Sequence, residues 1–285
     1  MRKDFAIFII THARPTNQLT LNLLLEYGYT GEYYLVLDDQ DDVQAYIDLY
    51  EPEHIIIFSK EYYFSIADTG LSKQERVLKF PQYARMAIED YARDNNYPFF
   101  LVLDDDITSI RLRVDENGVL KSYHMNGIID KVLESCIQFI DEANIACASF
   151  GFSNTYRSGV SALYKETARN RMCAETFLRN GRFKVDWRPL MIHDLLTSIS
   201  HNMQGQVWMQ LLNIQVDIKM SEGKVDGGSA DVYRTFDKFR RVCFPLMMYP
   251  SCNYPRFYNG KWITTLNAEN SCNKIIGSRY KKCSH

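Results

Sequence analysis

The segment "FFLVLDDDITS", Phe99 to Ser109, runs five apolar residues into Asp104, Asp105 and Asp106. Side chains of an extended chain alternate, so Asp104 and Asp106 face one way and Asp105 the other. Two carboxylates on one side form a hard oxygen site suited to Mg²⁺ or Mn²⁺, completed by water and by a substrate's phosphate oxygens. Such an ion offsets the repulsion among the aspartates and can stabilise a departing diphosphate as a Lewis acid. Asp104 and Asp106 are the candidate metal ligands.

Other residues offer what a nucleotide diphosphate needs. Thr11 and Arg14 follow the first apolar run, where a hydroxyl and a guanidinium could meet the nucleotide. Asp38 and Asp39 close "YLVLDD" (34–39), a near copy of "FLVLDD" (100–105), and could accept hydrogen bonds from ribose or base. Arg85 lies on a helical stretch before the aspartates, and arginine pairs well with phosphate oxygens. Asp194, in "LMIHDLLTSI", reads as a helix cap or a general base. Its neighbour His193 reads as a structural histidine or a pH-sensitive contact. His193 and His201 lie eight residues apart and make no zinc pair. The chain has no P-loop motif, no G-x-G-x-x-G and no G-x-S-x-G, which removes the usual support for P-loop, dinucleotide-binding and serine-hydrolase chemistry.

These residues need a frame. "FAIFII" (5–10), "EYYLVL" (32–37), "HIIIFS" (54–59) and "FFLVL" (99–103) read as buried strands. Between them, "TNQLTLNLLLEYGY", "VQAYIDLY" and a stretch near 74–94 read as helices. Strands alternating with helices predict parallel pairing and an α/β sheet covered on both faces. Ligands in such sheets bind beyond the carboxyl ends of the strands, so both acidic ends should face one crevice. After Asp106 the pattern loosens into a helix near 127–143, a strand "IACASF", a helix near 192–204 and a strand "QVWMQLL". "GKVDGGSADVYRTFDKF" reads as a loop entering a helix, and the aromatic, basic tail from Tyr254 takes no assignment.

Bulk composition narrows the rest. A net charge of −2 predicts no global attraction to nucleic acid or membrane, so a polyanionic partner would need a local basic patch. Seven cysteines without a C-x-x-C, several inside apolar runs, read as buried reduced thiols in a reducing compartment. The six-residue apolar run after the basic start is too short for a signal peptide core or a membrane span. A cytoplasmic location without membrane contact is the expectation.

Taken in order, "FAIFIITHARP", "YGYTGEYYLVLDDQD", "DTG" (68–70), "YARMAIEDYARDNNYPFFLVLDDDI", "RNRMCAETF", "HDLLTSI" and "GGSADVY" give the chain a family likeness. It resembles glycosyltransferases of the GT-A type, and among them the TET-associated glycosyltransferases found largely in bacteriophages. That resemblance implies a GT-A-like domain over 1–285, with a nucleotide-sugar-binding half (1–110), an acceptor half (111–253) and an aromatic, basic extension (254–285). It implies a nucleotide-sugar donor, a UDP-sugar by expectation, with Mn²⁺ or Mg²⁺ bridging the D-x-D motif and the diphosphate. The implied acceptor is a hydroxymethylated pyrimidine in DNA, of the 5-hydroxymethylcytosine type, in the host cytoplasm if the gene is a phage's.

The family motifs fall on Thr11, Arg14, Asp38, Asp68, Arg85 and Asp104 to Asp106 for the donor, on Asp194 for catalysis, and on Gly227 and Gly228 toward the acceptor. Three departures accompany them. His193 replaces an acidic neighbour of Asp194, Met86 replaces an asparagine after Arg85, and a glycine-rich stretch appears as "SFGFSNTYRSG". A DNA acceptor would need positive surface, for which "RNGRFK" (179–184), "TFDKFRR" (235–241) and "GSRYKK" (277–282) are candidates. An extruded base would need aromatic walls, for which Trp187, Tyr249 and Tyr254 are available. The competing readings are a glycan acceptor, an inactive GT-A-fold binding module, and a metal nuclease using the three aspartates.

Overall fold

A computed structural model describes residues 1–67, 80–164, 173, 175–187, 193–219, 238–258 and 260–266. Four strands open the sheet: β1 (Phe5–Ile10), β2 (Glu32–Asp38), β3 (Ile55–Phe58) and β4 (Phe99–Asp104). All three pairings among them are parallel, as their helical crossovers require. The remaining strands are β5 (Ile107–Glu116), β6 (Val119–His124), β7 (Cys147–Phe152), β8 (Phe177–Asn180) and β9 (Trp208–Ile218). They complete a nine-stranded sheet of order β3-β2-β1-β4-β8-β7-β9-β5-β6. Beyond β4 the sheet turns mixed, because β8 runs antiparallel to both β4 and β7, and β5 antiparallel to β9 and β6.

Alternation along β1 builds both halves of the core. Phe5, Ile7 and Ile9 face one way, onto Leu21 and Leu24 of α1 (Leu19–Glu26) and Ile137 and Ile140 of α5 (Ile129–Glu142). Ala6 and Phe8 face the other way, onto Tyr83, Ala87 and Ile88 of α4 (Pro81–Asp94) and the fully buried Trp208. Fully covered strands on both faces explain why these segments read as unbroken apolar runs. Two short helices, α2 (Val43–Ile47) and α3 (Lys60–Ile66), flank β3. Farther along lie α6 (His193–Met203) and α7 (Lys238–Met248), then a separate hairpin of β10 (Asn253–Tyr258) and β11 (Lys261–Leu266).

Two expectations need correction. The helix placed near 74–94 starts at Pro81, after an extended Phe80, since proline suits a first turn and breaks an interior. The "loose" region after Asp106 is the β5–β6 hairpin, turned by Asn117 and Gly118, both at positive φ. An Asn-Gly pair between strand-like segments is the sequence signal for such a turn. Five cysteines among the described residues are free thiols. Among those residues no helix is long and apolar enough to cross a membrane.

Candidate active site

Register brings the acidic ends together. Ile10 stands between Val36 and Asp104, so the carboxyl ends of β1, β2 and β4 open on one edge. The chain then turns through Asp105 and Asp106 into β5, and this turn is held by its backbone. Thr20 Oγ1 donates to the Asp104 carbonyl (2.6 Å) and accepts from Ile107 N–H (3.0 Å), while Lys219 N–H donates to the Asp106 carbonyl (2.9 Å). Thr20 carries no catalytic signature in sequence, only the hydroxyl that fixes the turn.

Strand β4 ends at Asp104, and Asp105 and Asp106 lie in the turn that follows. Asp105 turns inward, where Thr11 Oγ1 donates to one carboxylate oxygen (2.8 Å) and Arg14 Nη1 to the other (2.7 Å). Gln18 and Tyr46 complete the partners of Thr11. Thr11 and Asp105 are both buried. Arg14 keeps a partly open guanidinium. Asp38 is likewise buried, with Lys60 Nζ at 2.8 Å and His12 Nδ1 at 3.0 Å from one oxygen and Gln40 N–H on the other. Burial pushes its carboxyl up, but the hydrogen bonds from His12 and Lys60 prevail and hold it at about 2. It shapes the end of β2 and is not free to meet a ribose.

Asp104 faces a second cluster. Arg85, buried on α4, donates through Nη1 to Asp194 Oδ1 (2.9 Å) and reaches Asp104 Oδ1 at 3.8 Å. Its guanidinium lies 4.6 Å from the ring centre of Phe177 and 5.6 Å from that of Trp187. Aromatic faces and two carboxylates lock its plane, so it organises the floor rather than reaching freely for phosphate. Trp187 packs on Phe177 and Trp208 at 5% exposure, which corrects its assignment as an acceptor wall: it braces Arg85 from below.

Asp194 opens the first turn of α6, where a negative charge is favourable. Its oxygens receive Arg85, the His193 ring nitrogen at 2.5 Å and the Glu175 backbone N–H at 3.4 Å. Burial would raise this carboxyl, yet His193 and Arg85 overcome it and hold Asp194 at about 2. Burial meanwhile drives the His193 ring toward its neutral form. A carboxylate so thoroughly satisfied is a poor proton acceptor.

Glu175 is a candidate that sequence reasoning passed over, although it lies within "RNRMCAETF". Val102 pairs with Phe177, so antiparallel β8 begins beside the end of β4 and delivers Glu175 to the cluster. Its backbone sits at φ +56°, a left-handed conformation that costs a non-glycine residue about 1 kcal/mol or more. Its half-buried carboxylate has no hydrogen-bond or ion-pair partner among the described residues. Burial, with Asp194 and Asp106 nearby and Arg85 opposing, pushes it up to about 7. Burial likewise raises Asp104, with Glu175, Asp106 and Asp194 adding to the effect. Among the described residues, the floor therefore holds excess negative charge with one buried guanidinium to answer it.

No group of three or more His, Cys, Asp or Glu side chains among the described residues is arranged to hold a metal by itself. The donor set still fits Mg²⁺ or Mn²⁺, which are commonly held by one or two carboxylates plus water and substrate phosphate. Of the remaining expected residues, Asp68, Gly227 and Gly228 lie outside the described residues. In "RNGRFK", Arg179 is wholly buried and bound to Glu89, while Arg182 and Lys184 are exposed beside Asp141 and Asp186.

Residues 5–228 match the family described as TET-Associated Glycosyltransferase. The chain belongs to this family. Among solved structures, S. aureus TarS (residues 1–349) matches at 16% identity and a TM-score of 0.42, over 75% of this chain and 60% of that one. A mycobacterial protein matches at 6% identity and a TM-score of 0.47, over 92% of this chain and 83% of that one. The chain thus spans about 60% of the length of the TarS structure. No curated protein matches it. Membership extends from β1 past Asp194, so the acidic floor and Arg85 lie within the span that the chain shares with this family.

Proposed function

We propose that the protein transfers a sugar from a nucleotide-sugar donor, a UDP-sugar by expectation, to a hydroxymethylated pyrimidine in DNA. Family membership supports the glycosyl transfer. The observation that carries the site assignment is the floor of Asp104, Asp106, Glu175 and Asp194 around Arg85, at the carboxyl end of β4. Asp104 and Asp106 would hold Mn²⁺ or Mg²⁺, which when bound supplies charge neutralisation for the departing diphosphate. Arg14, partly open at the end of β1, suits the nucleotide's phosphates.

In the transfer, the acceptor hydroxyl oxygen forms a bond to the anomeric carbon and the bond from that carbon to the diphosphate oxygen breaks. The hydroxyl proton must go to a base. Glu175 is the better candidate than Asp194, because its oxygens are unclaimed among the described residues whereas those of Asp194 hold Arg85 and His193. Asp194 becomes the residue that orients Arg85 and the start of α6.

The test is to incubate the protein with a panel of nucleotide sugars, Mn²⁺ and either hydroxymethylated or plain DNA, then digest to nucleosides and weigh them. A mass gain of one sugar on the hydroxymethylated nucleoside alone is expected. If no donor adds mass to DNA under low-salt conditions, the DNA acceptor is wrong.

A further inference from the structure

The β10–β11 hairpin breaks the usual rules for a protein surface. Tyr254, Phe257, Tyr258, Trp262 and Ile263 all stand more than a third exposed on one short two-stranded ribbon. Soluble surfaces rarely gather so many large apolar side chains without a use for them. Antiparallel register sorts the ribbon into two faces. Tyr254, Arg256 and Tyr258 share one face, with Ile263 opposite Arg256 and Lys261 opposite Tyr258. The Arg256 guanidinium lies 5.3 Å from the Tyr258 ring centre.

The other face carries the exposed pair Phe257 and Trp262, with ring centres 5.3 Å apart, and is tied down at the base of the ribbon. Asn253 Nδ2 donates to the carbonyls of Pro245 and Tyr249, and Thr264 Oγ1 donates to the carbonyl of Val242, which anchors the ribbon to α7. Just before β10, Cys252 packs with Tyr249 against Leu195 and Ile199 of α6. The hairpin is therefore braced on the helix that begins with His193 and Asp194, beside the acidic floor.

Charge points to the occupant. From Lys238 to Leu266 the chain carries five lysines and arginines and no aspartate or glutamate, within a protein of net charge −2. A flat ring, a guanidinium and a second ring in line, on a module without acidic residues, match what unstacked bases and their phosphates require. A partner protein would call for complementary apolar shape; alternating rings and cations suit a strand whose bases and phosphates also alternate.

We infer that the outward face of the β10–β11 hairpin, Tyr254, Arg256 and Tyr258, is a docking platform for single-stranded DNA. It receives the unstacked strand next to the transfer site. The inference deepens the DNA-acceptor reading and rests on it. It also gives the aromatic, basic segment beyond Tyr254 a task.

Binding of a fluorescein-labelled thymidine oligonucleotide, followed by fluorescence anisotropy at low salt, tests it without any sugar transfer. The intact protein is expected to bind, and the pair Tyr254→Ala with Tyr258→Ala to bind at least about tenfold more weakly. Tyr254→Phe with Tyr258→Phe should bind within about twofold of the parent, because the ring faces remain. Arg256→Gln should lower the salt dependence, as expected of a lost phosphate contact. These side chains are exposed, so an unchanged thermal transition checks that each variant is folded. Full affinity in the double alanine variant, or no binding by the intact protein, overturns the platform. Binding that obeys these expectations, with no sugar ever entering DNA, overturns the acceptor reading and leaves the platform standing.

Discussion

Arg85 and Asp194 lie 109 residues apart in the chain and 2.9 Å apart in the fold. Their ion pair joins α4, which precedes the aspartates, to α6, which follows β5 to β8. Because Arg85 also reaches Asp104, one guanidinium ties the candidate metal site to the start of α6. Removing it leaves the floor without its buried cation. Arg85→Ala is expected to cost about 3 kcal/mol of stability, the usual penalty for stranding one partner of a buried pair. Urea unfolding measures it, and a loss under about 1 kcal/mol would show that the pair is not structurally important.

The division of labour between Glu175 and Asp194 is open to direct test. Glu175→Gln should lower the transfer rate by about 10² to 10⁴, the usual worth of a general base. Its folding should be unimpaired, since the carboxylate makes no bond among the described residues. Asp194→Asn should lower both rate and unfolding midpoint, because Arg85 loses its charged partner. A Glu175→Gln enzyme at full rate returns the base role to another group.

Backbone strain yields a separate expectation. At φ +56°, position 175 favours glycine by roughly 1 kcal/mol. Glu175→Gly should therefore unfold no earlier than the parent protein while losing transfer. Should it unfold clearly earlier, the side chain is a structural strut, and its place in the floor must be reinterpreted.

Asp38 makes a pH prediction whose sign follows from its lowered carboxyl. The ordinary value is 3.8 and the folded one about 2, so the folded state prefers the charged form. That stability is fully present above about pH 4, and is lost as pH falls toward and through 2. Its size is about 2 kcal/mol. The stability gap between the parent and Asp38→Asn, measured by urea unfolding, should shrink by that amount from pH 5 to pH 2. A gap that stays constant would falsify the role given to His12 and Lys60.

Metal binding should register without catalysis. Mn²⁺ together with UDP should raise the unfolding temperature, since a ligand at a hundred times its Kd adds about 2.7 kcal/mol. Asp104→Ala with Asp106→Ala should abolish the part of the rise that depends on Mn²⁺. If that variant retains the full Mn²⁺ effect, the ion binds elsewhere.

What the sequence determined follows from short-range rules. Apolar runs at 5–10, 32–37 and 99–103 read as strands covered on both faces, each closing on a polar or acidic end. The crevice followed, because strands of one direction end on one edge. The Asn117-Gly118 turn was equally legible as a hairpin signal, and α4's start at Pro81 obeyed a local rule too.

Only the tertiary structure decided which polar groups face inward. Thr11, Asp38 and Asp105 looked like ligands by position, but Thr11 and Arg14 bond Asp105, and Lys60 and His12 pair with Asp38. Trp187 looked like a wall and lies beneath Arg85. Glu175 looked like nothing until antiparallel β8 set it beside β4, its carboxylate without a partner among the described residues. A side chain's chemistry depends on its desolvation and on the charges within a few ångströms. Those neighbours come from strands and helices far away in sequence, so no local pattern encodes them.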